Sequence, residues 1–210
     1  MSNPPAASNP SAAWQRLRAG NERCCAALTS RADVATERQT PRAAVFRCAD
    51  SPMASEAVFG QSRGSLVEIS NWGHVVDTGV LAGLEYAVGT LRTPVIAVLG
   101  HPDCAAMHTA LNAWKSVSFP DGAVRAVVEH GISSLTRLNT TIGTADELSA
   151  AHVAQTGVTL LHKSPLIAKA VDGGQTAIVC LVSDRNDGRL RVCATFGDVS
   201  ETASPLFECV

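Results

Sequence analysis

Residues 44–51 read AVFRCADS and residues 93–104 read TPVIAVLGHPDC, and these two pieces, at the ends of the stretch Ala43–Cys104, decide the fold. Each is a short run of aliphatic and small residues, as expected of a strand buried on both faces. Each then runs directly into side chains that bind metals: Cys48 and Asp50 after the first, His101 and Cys104 after the second. Open α/β sheets place their ligands just beyond the C-terminal ends of the strands. Two thiolates and an imidazole form a three-residue set suited to zinc, with the fourth position left to a water or to Asp50. Between the two strands, residues 78–91 place Val80, Leu81, Leu84, Ala87, Val88 and Leu91 at helical spacing, with Thr78 as a candidate cap. Strand, helix, strand is the pattern of a parallel sheet with right-handed crossovers.

Working outward, residues 1–10 (MSNPPAASNP) hold nothing to bury and are predicted to be a flexible N-terminal arm. Ser11 is a candidate N-cap for an amphipathic helix over 11–29, built on Trp14, Leu17 and Leu28, whose apolar face needs another subunit or the body of the same chain to cover it. A polar loop over 30–42, ending in Gln39, Thr40 and Pro41, leads into a strand at 43–48, then a short helix at 53–60 and a strand at 65–70. After His101 the pattern is helical to about residue 172, with breaks near 119–122, 139–143 and 164–165. Sheet returns in TAIVCLVSD (176–184) and LRVCATF (190–196), with Asp187-Gly188 between them as a hairpin signal.

The chain has 210 residues, 46% hydrophobic and 17% charged, enough to bury the core of one domain over residues 11–210. Seventeen basic and nineteen acidic residues give a net charge of -2 with no block of either sign, so neither nucleic acid nor an anionic membrane is an expected partner. The N-terminus has neither a basic n-region nor an apolar core, and the aliphatic run Val95–Leu99 is far too short to cross a bilayer; a cytoplasmic protein is expected. Seven cysteines without an export signal point to reduced thiols and a metal rather than to disulfides. Cys24, Cys25, Cys180, Cys193 and Cys209 read as small apolar residues.

Taken singly, the site residues have plainer readings. Cys48, His101 and Cys104 alone would be core cysteines and a loop histidine, Asp50 a helix cap, and Gln39 a polar loop residue. His74, His108, His130, His152 and His162 have no mutual ligand spacing; His108, four residues after Cys104, is a candidate proton shuttle. Gly60-Gln-Ser62-Arg-Gly64 matches the nucleophile-elbow pattern, but a helix precedes it and a strand follows, the reverse of the required context, so it reads as a glycine-rich turn.

At Cys48-Ala-Asp50-Ser51 and His101-Pro-Asp-Cys104 the sequence resembles the β-class carbonic anhydrases, whose motifs read CxDSR and HxxC. Gln39-Thr-Pro41, Gly73-His-Val-Val-Asp77, Leu84-Glu-Tyr-Ala87 and Val95–Gly100 follow the family's order and spacing, so the resemblance covers roughly residues 11–196. It implies an α/β fold with a mainly parallel four-stranded sheet, flanking helices and a C-terminal antiparallel hairpin strand. It also implies a homo-oligomer, a dimer or tetramer, with the helix over 11–29 reaching across its partner. Zinc would be held by Cys48, His101 and Cys104, and the substrates would be carbon dioxide and bicarbonate. Asp50 would orient the reacting water and accept its proton, and Gln39 would donate to a substrate oxygen. Zinc acts in such sites by acidifying water, and two thiolates donate more charge than imidazoles, so an alkaline optimum is expected.

The sequence departs from the family pattern at three places. The Arg of CxDSR is Pro52, which removes the guanidinium that would hold the Asp50 carboxylate off the metal. Ser70-Asn71-Trp72 stands where the family often has Arg in the preceding strand, and Ala105 follows the last ligand in place of Gly. Arg47 and Arg63 are the candidates to replace the lost guanidinium. Two classes of function therefore stay open: a zinc lyase acting on carbon dioxide, weakened or pH-gated, and an inactive zinc-binding homologue, with Asp50 as fourth ligand, serving as a structural or assembly subunit. A hydrolase of a sulfur analogue of carbon dioxide is a third reading.

Overall fold

The computed structural model describes residues 10–29, 41–135 and 142–199. The chain divides into two units, 1–38 and 39–210. In the first, helix α1 spans Pro10–Thr29. It opens on Pro10 rather than beyond a Ser11 cap: proline has no amide hydrogen to lose at a first helical position, and its fixed φ suits the turn. Trp14 and Leu17 project from it and are exposed. The expected arm over 1–9 and the side chain of Leu28 lie outside the described residues.

In the second unit the elements run β1 (Ala43–Cys48), α2 (Ser55–Val58), β2 (Leu66–Asn71), α3 (Thr78–Gly89), β3 (Val95–Gly100), α4 (Ala105–Ser116), α5 (Ala123–Ser133), α6 (Ala145–Lys163), α7 (Pro165–Asp172), β4 (Ala177–Ser183) and β5 (Leu190–Phe196). They form one five-stranded sheet in the order β2-β1-β3-β4-β5. The first four strands are parallel and β5 returns antiparallel to β4. This is the expected α/β architecture. The differences are local: α2 is shorter than the expected 53–60, and β2 lies one residue later than 65–70. Asp77, not Thr78, caps α3; its backbone is extended, and its carboxylate accepts the Val80 amide hydrogen at 2.9 Å.

Alternation along the strands divides the core. Phe46, Ile96, Val98 and Ile178 face α3, α6 and α7, where Leu84, Leu160 and Ile167 meet them. Val45, Ala97, Leu99 and Leu181 form the other face. A third cluster sits beyond the strand ends, where Met107 and Leu111 of α4, Val128 of α5 and Leu148 of α6 pack around Cys48 and Cys104. Cys48 and Cys104 thus stand on an apolar floor.

The helix that closes this arrangement, α6, begins with a full capping box: the Thr144 hydroxyl accepts the Glu147 amide hydrogen, and the Glu147 carboxylate accepts that of Thr144. It lies tightly on the sheet because Gly157 has no side chain; a Cβ there would come within 2.6 Å of Phe196 and 2.7 Å of Cys180. The predicted break at 164–165 is the Ser164 cap and Pro165 start of α7. The 60–64 glycine-rich segment is a turn between α2 and β2, with Gly60 and Gly64 both at positive φ. No helix among the described residues is long and apolar enough to cross a membrane.

Candidate metal centre

β1 and β3 are adjacent parallel strands, so their C-terminal ends open side by side. β1 delivers Cys48 and, two residues on, Asp50; β3 delivers His101 and then Cys104 at the entrance to α4. One ligand atom from each of these four residues lies within 4.8 Å of the other three. Cys48, His101 and Cys104 are buried, while Asp50 keeps about a quarter of its side chain in solvent.

The donor set fits zinc. The two sulfurs are 3.8 Å apart, far beyond a disulfide and equal to the edge of a tetrahedron with metal–sulfur bonds of about 2.3 Å. Cys48 Sγ accepts the Gly73 amide hydrogen at 3.1 Å, a bond that favours a thiolate. Only glycine serves at that position, since φ is +78° and a Cβ would meet Val127 at 2.5 Å. His101 Nδ1 donates to the Pro102 carbonyl at 2.9 Å and Nε2 lies 2.9 Å from Asp50 Oδ1, which turns Nε2 toward the sulfurs. Asp50 Oδ2 accepts the Ala105 amide hydrogen at 2.8 Å, and its Oδ1 stands 4.0 Å from Cys104 Sγ.

Charges are coupled within the cluster. The hydrogen bond with Cys104 and burial raise Cys48 far above the thiol range, while the same hydrogen bond lowers Cys104 against burial. Burial opposes charge on His101, but the Cys48 hydrogen bond and the Asp50 carboxylate outweigh it and raise the imidazole. Burial likewise opposes ionisation of Asp50, and its bonds to Cys48, Ala105 and His101 overcome it. A metal binding here would have to displace the protons held in this cluster.

The other site residues distribute as follows. Gln39 lies outside the described residues. Arg47 does not take the place of the guanidinium absent at Pro52: it donates to the Ser51 carbonyl at 2.6 Å and faces Glu68 at 3.5 Å. Arg63 is exposed on the turn before β2. His108 is exposed on α4, its Nε2 3.6 Å from Asp103 rather than in the cluster. His74 and His152 are buried and satisfied: His74 Nε2 bonds the Leu99 carbonyl at 3.0 Å, and His152 bonds the Gly73 carbonyl and the Ser134 hydroxyl, each at 2.9 Å. Burial pushes them down to about 4 and about 3, so both are neutral. The backbone amides of Gly73 and Ala105 were not anticipated as partners, because a backbone donor carries no residue-type signature; the glycine of the Gly73–Asp77 segment was the one signal available.

Comparison with known proteins agrees with this geometry. The family model described as carbonic anhydrase matches residues 43–190. The chain is 38% identical over 202 residues to carbonic anhydrase 2 of Mycobacterium tuberculosis, covering 92% of this chain and 97% of that one. It is 37% identical over 203 residues to a carbonic anhydrase of Mycolicibacterium smegmatis, covering 92% and 98%. Among solved structures, a tetrameric β-carbonic anhydrase of Sordaria macrospora shares the fold with a TM-score of 0.70 at 18% identity, covering 87% of this chain and 96% of that one. The Coccomyxa β-carbonic anhydrase does so with a TM-score of 0.68 at 20% identity, covering 89% and 86%. With its strand-end cysteines and histidine set in this sheet, and with that match along most of its length, the chain belongs to the β-class carbonic anhydrase family.

Proposed function

We propose that this protein is a zinc-dependent enzyme that interconverts carbon dioxide with bicarbonate and a proton. The observation that carries the reading is the convergence of Cys48, Asp50, His101 and Cys104 beyond the ends of β1 and β3. Cys48, His101 and Cys104 would hold zinc, which when bound supplies Lewis acidity toward water and substrate oxygen. The remaining tasks fall to the chain. The Gly73 amide steadies Cys48 Sγ, and the Pro102 carbonyl fixes the His101 ring through Nδ1. With Oδ2 engaged by Ala105, Asp50 would use Oδ1, which in the metal-free centre faces His101 Nε2, to orient the reacting water and take its proton. Gln39 is the proposed donor to a substrate oxygen.

A second reading is supported by the position of Asp50 itself. Its Oδ1 already faces the ligand atoms, and Arg47, the nearest guanidinium in sequence, is engaged elsewhere. If Asp50 fills the fourth position, the centre is closed and the chain is a structural or assembly subunit. A homo-oligomer, dimer or tetramer, accords with the tetrameric relative, and free buried thiols suit the reducing cytoplasm.

Stopped-flow carbon dioxide hydration by zinc-quantified protein, from neutral to alkaline pH, separates the two. Turnover that disappears on chelation and returns with zinc supports the enzyme. Absence of turnover at full zinc occupancy supports the closed centre, and Pro52→Arg should then restore a measurable rate if the missing guanidinium is the cause.

A further inference from the structure

Asp103 lies between the ligands His101 and Cys104, and its backbone is left-handed, with φ of 55°. Residues with a side chain seldom adopt that conformation, although Asp is among those that tolerate it. Two groups from elsewhere in the chain hold it there. The Asp103 amide donates to Asp146 Oδ1, in the first turn of α6, at 3.0 Å. Arg185, from the β4–β5 turn, sets its guanidinium between the two carboxylates: Nη2 is 2.6 Å from Asp103 Oδ1 and 3.2 Å from Asp146 Oδ2, while Nη1 pairs with Asp103 Oδ2. Asp146 is in turn held by the capped start of α6.

Two elements distant in sequence, the start of α6 and the β4–β5 turn, thus meet on Asp103, one of the two residues between the β3 ligands. We propose that Asp146 and Arg185 are positioning residues for the metal centre, holding the His101–Cys104 turn in its ligating conformation before a metal arrives. The inference rests on the zinc reading above and deepens it. Exposed ion pairs alone contribute little. This one differs because the guanidinium grips one carboxylate with two nitrogens, a third charge joins it, and the same Asp146 restrains a backbone amide. Neither residue belongs to the four-ligand cluster, so they act through the turn.

The test uses the full chain. Zinc affinity is measured by competition with a chromophoric chelator, the absorption of the cobalt-substituted protein reports ligand geometry, and hydrogen exchange of residues 101–105 is followed without metal. Asp146→Ala should weaken zinc binding about tenfold, the lower end of the range for outer-shell partners, broaden the cobalt bands, and speed exchange at residues 101–105. Asp146→Asn keeps an acceptor for the Asp103 amide and should fall between. Arg185→Gln, on an exposed turn where folding is not at stake, should give a smaller weakening that high salt reproduces in the unsubstituted protein. Zinc affinity and exchange both unchanged in Arg185→Gln and in folded Asp146→Ala would overturn the proposal. If the unsubstituted protein takes up no zinc, the zinc reading fails, and exchange alone decides the positioning role: acceleration supports it and an unchanged rate sinks it.

Discussion

The two turns that carry the ligands are supported by different physics. The β1 turn, with Cys48 and Asp50, leans on a buried layer: the Gly73 amide bonds Cys48, the Gly73 carbonyl is held by His152, and the neighbouring His74 is anchored on the Leu99 carbonyl. The β3 turn, with His101 and Cys104, is tied at its solvent side by Asp146 and Arg185, each about half exposed. Buried hydrogen bonds resist salt but fail if a member must take up charge, whereas exposed ion pairs are screened by salt. The candidate centre therefore has one side sensitive to acid and one side sensitive to ionic strength.

The largest expected effect strikes the buried side. His74 and His152 have folded-state values of about 4 and about 3, below the ordinary histidine value of 6.5. Between those values and 6.5 the unfolded chain binds more protons than the folded one, so stability is full above 6.5 and falls as the pH drops toward them. Each histidine contributes a slope approaching about 1.4 kcal/mol per pH unit in that window. His101, raised by its partners, contributes in the metal-free protein stability that is full below 6.5 and is lost as the pH rises through its raised value, so it does not offset the acid-side loss. Urea unfolding of metal-free protein at a series of pH values should show stability decreasing into acid, and His152→Gln should flatten the dependence; a pH-independent midpoint would remove the asymmetry.

Gly73→Ala is expected to come next. It forces a side chain into φ +78° and against Val127, at a cost of about 2–3 kcal/mol, and it moves the amide that bonds Cys48. Thermal unfolding and zinc affinity should fall together, whereas loss of stability with unchanged zinc affinity would separate the Gly73 turn from the ligand it touches.

The smallest effect should be Thr144→Ala, which removes a cap from the helix that presents Asp146. A loss of about 1 kcal/mol is expected, read by urea unfolding, together with greater sensitivity of zinc binding to salt. An unchanged salt response would show that the β3 turn does not depend on how firmly α6 begins.

Most of the fold was legible from residue order. Apolar runs too short for helices, separated by a segment at helical spacing, already required a parallel crossover, and Asp187-Gly188 lies in the turn that reverses the chain into β5. Caps were legible only to within a residue. Thr78 and Asp77 are both competent, and extended backbone at Asp77 decided between them; Ser11 yielded to Pro10 for a similarly local reason. The cysteines, histidine and aspartate of the candidate centre were legible through the two motifs taken together within the longer resemblance, since each residue alone has a plainer role as core thiol, loop imidazole or helix cap. Arg47 was a reasonable substitute for the arginine absent at position 52, but its guanidinium reaches Ser51 and Glu68 instead.

By itself the sequence determined the sheet, the four candidate ligands and the family, because these depend on side-chain chemistry and on periodicities that recur within a few residues. Only the tertiary structure decided what holds the ligands in place. Asp103 and Arg185 are 82 positions apart and meet solely because β4 lies beside β3 and turns back into β5 over the start of α6. The Gly73 and Ala105 amides became partners of Cys48 and Asp50 in the same way. A backbone donor is identical at every residue but proline, so packing alone determines which carboxylate or thiol it meets.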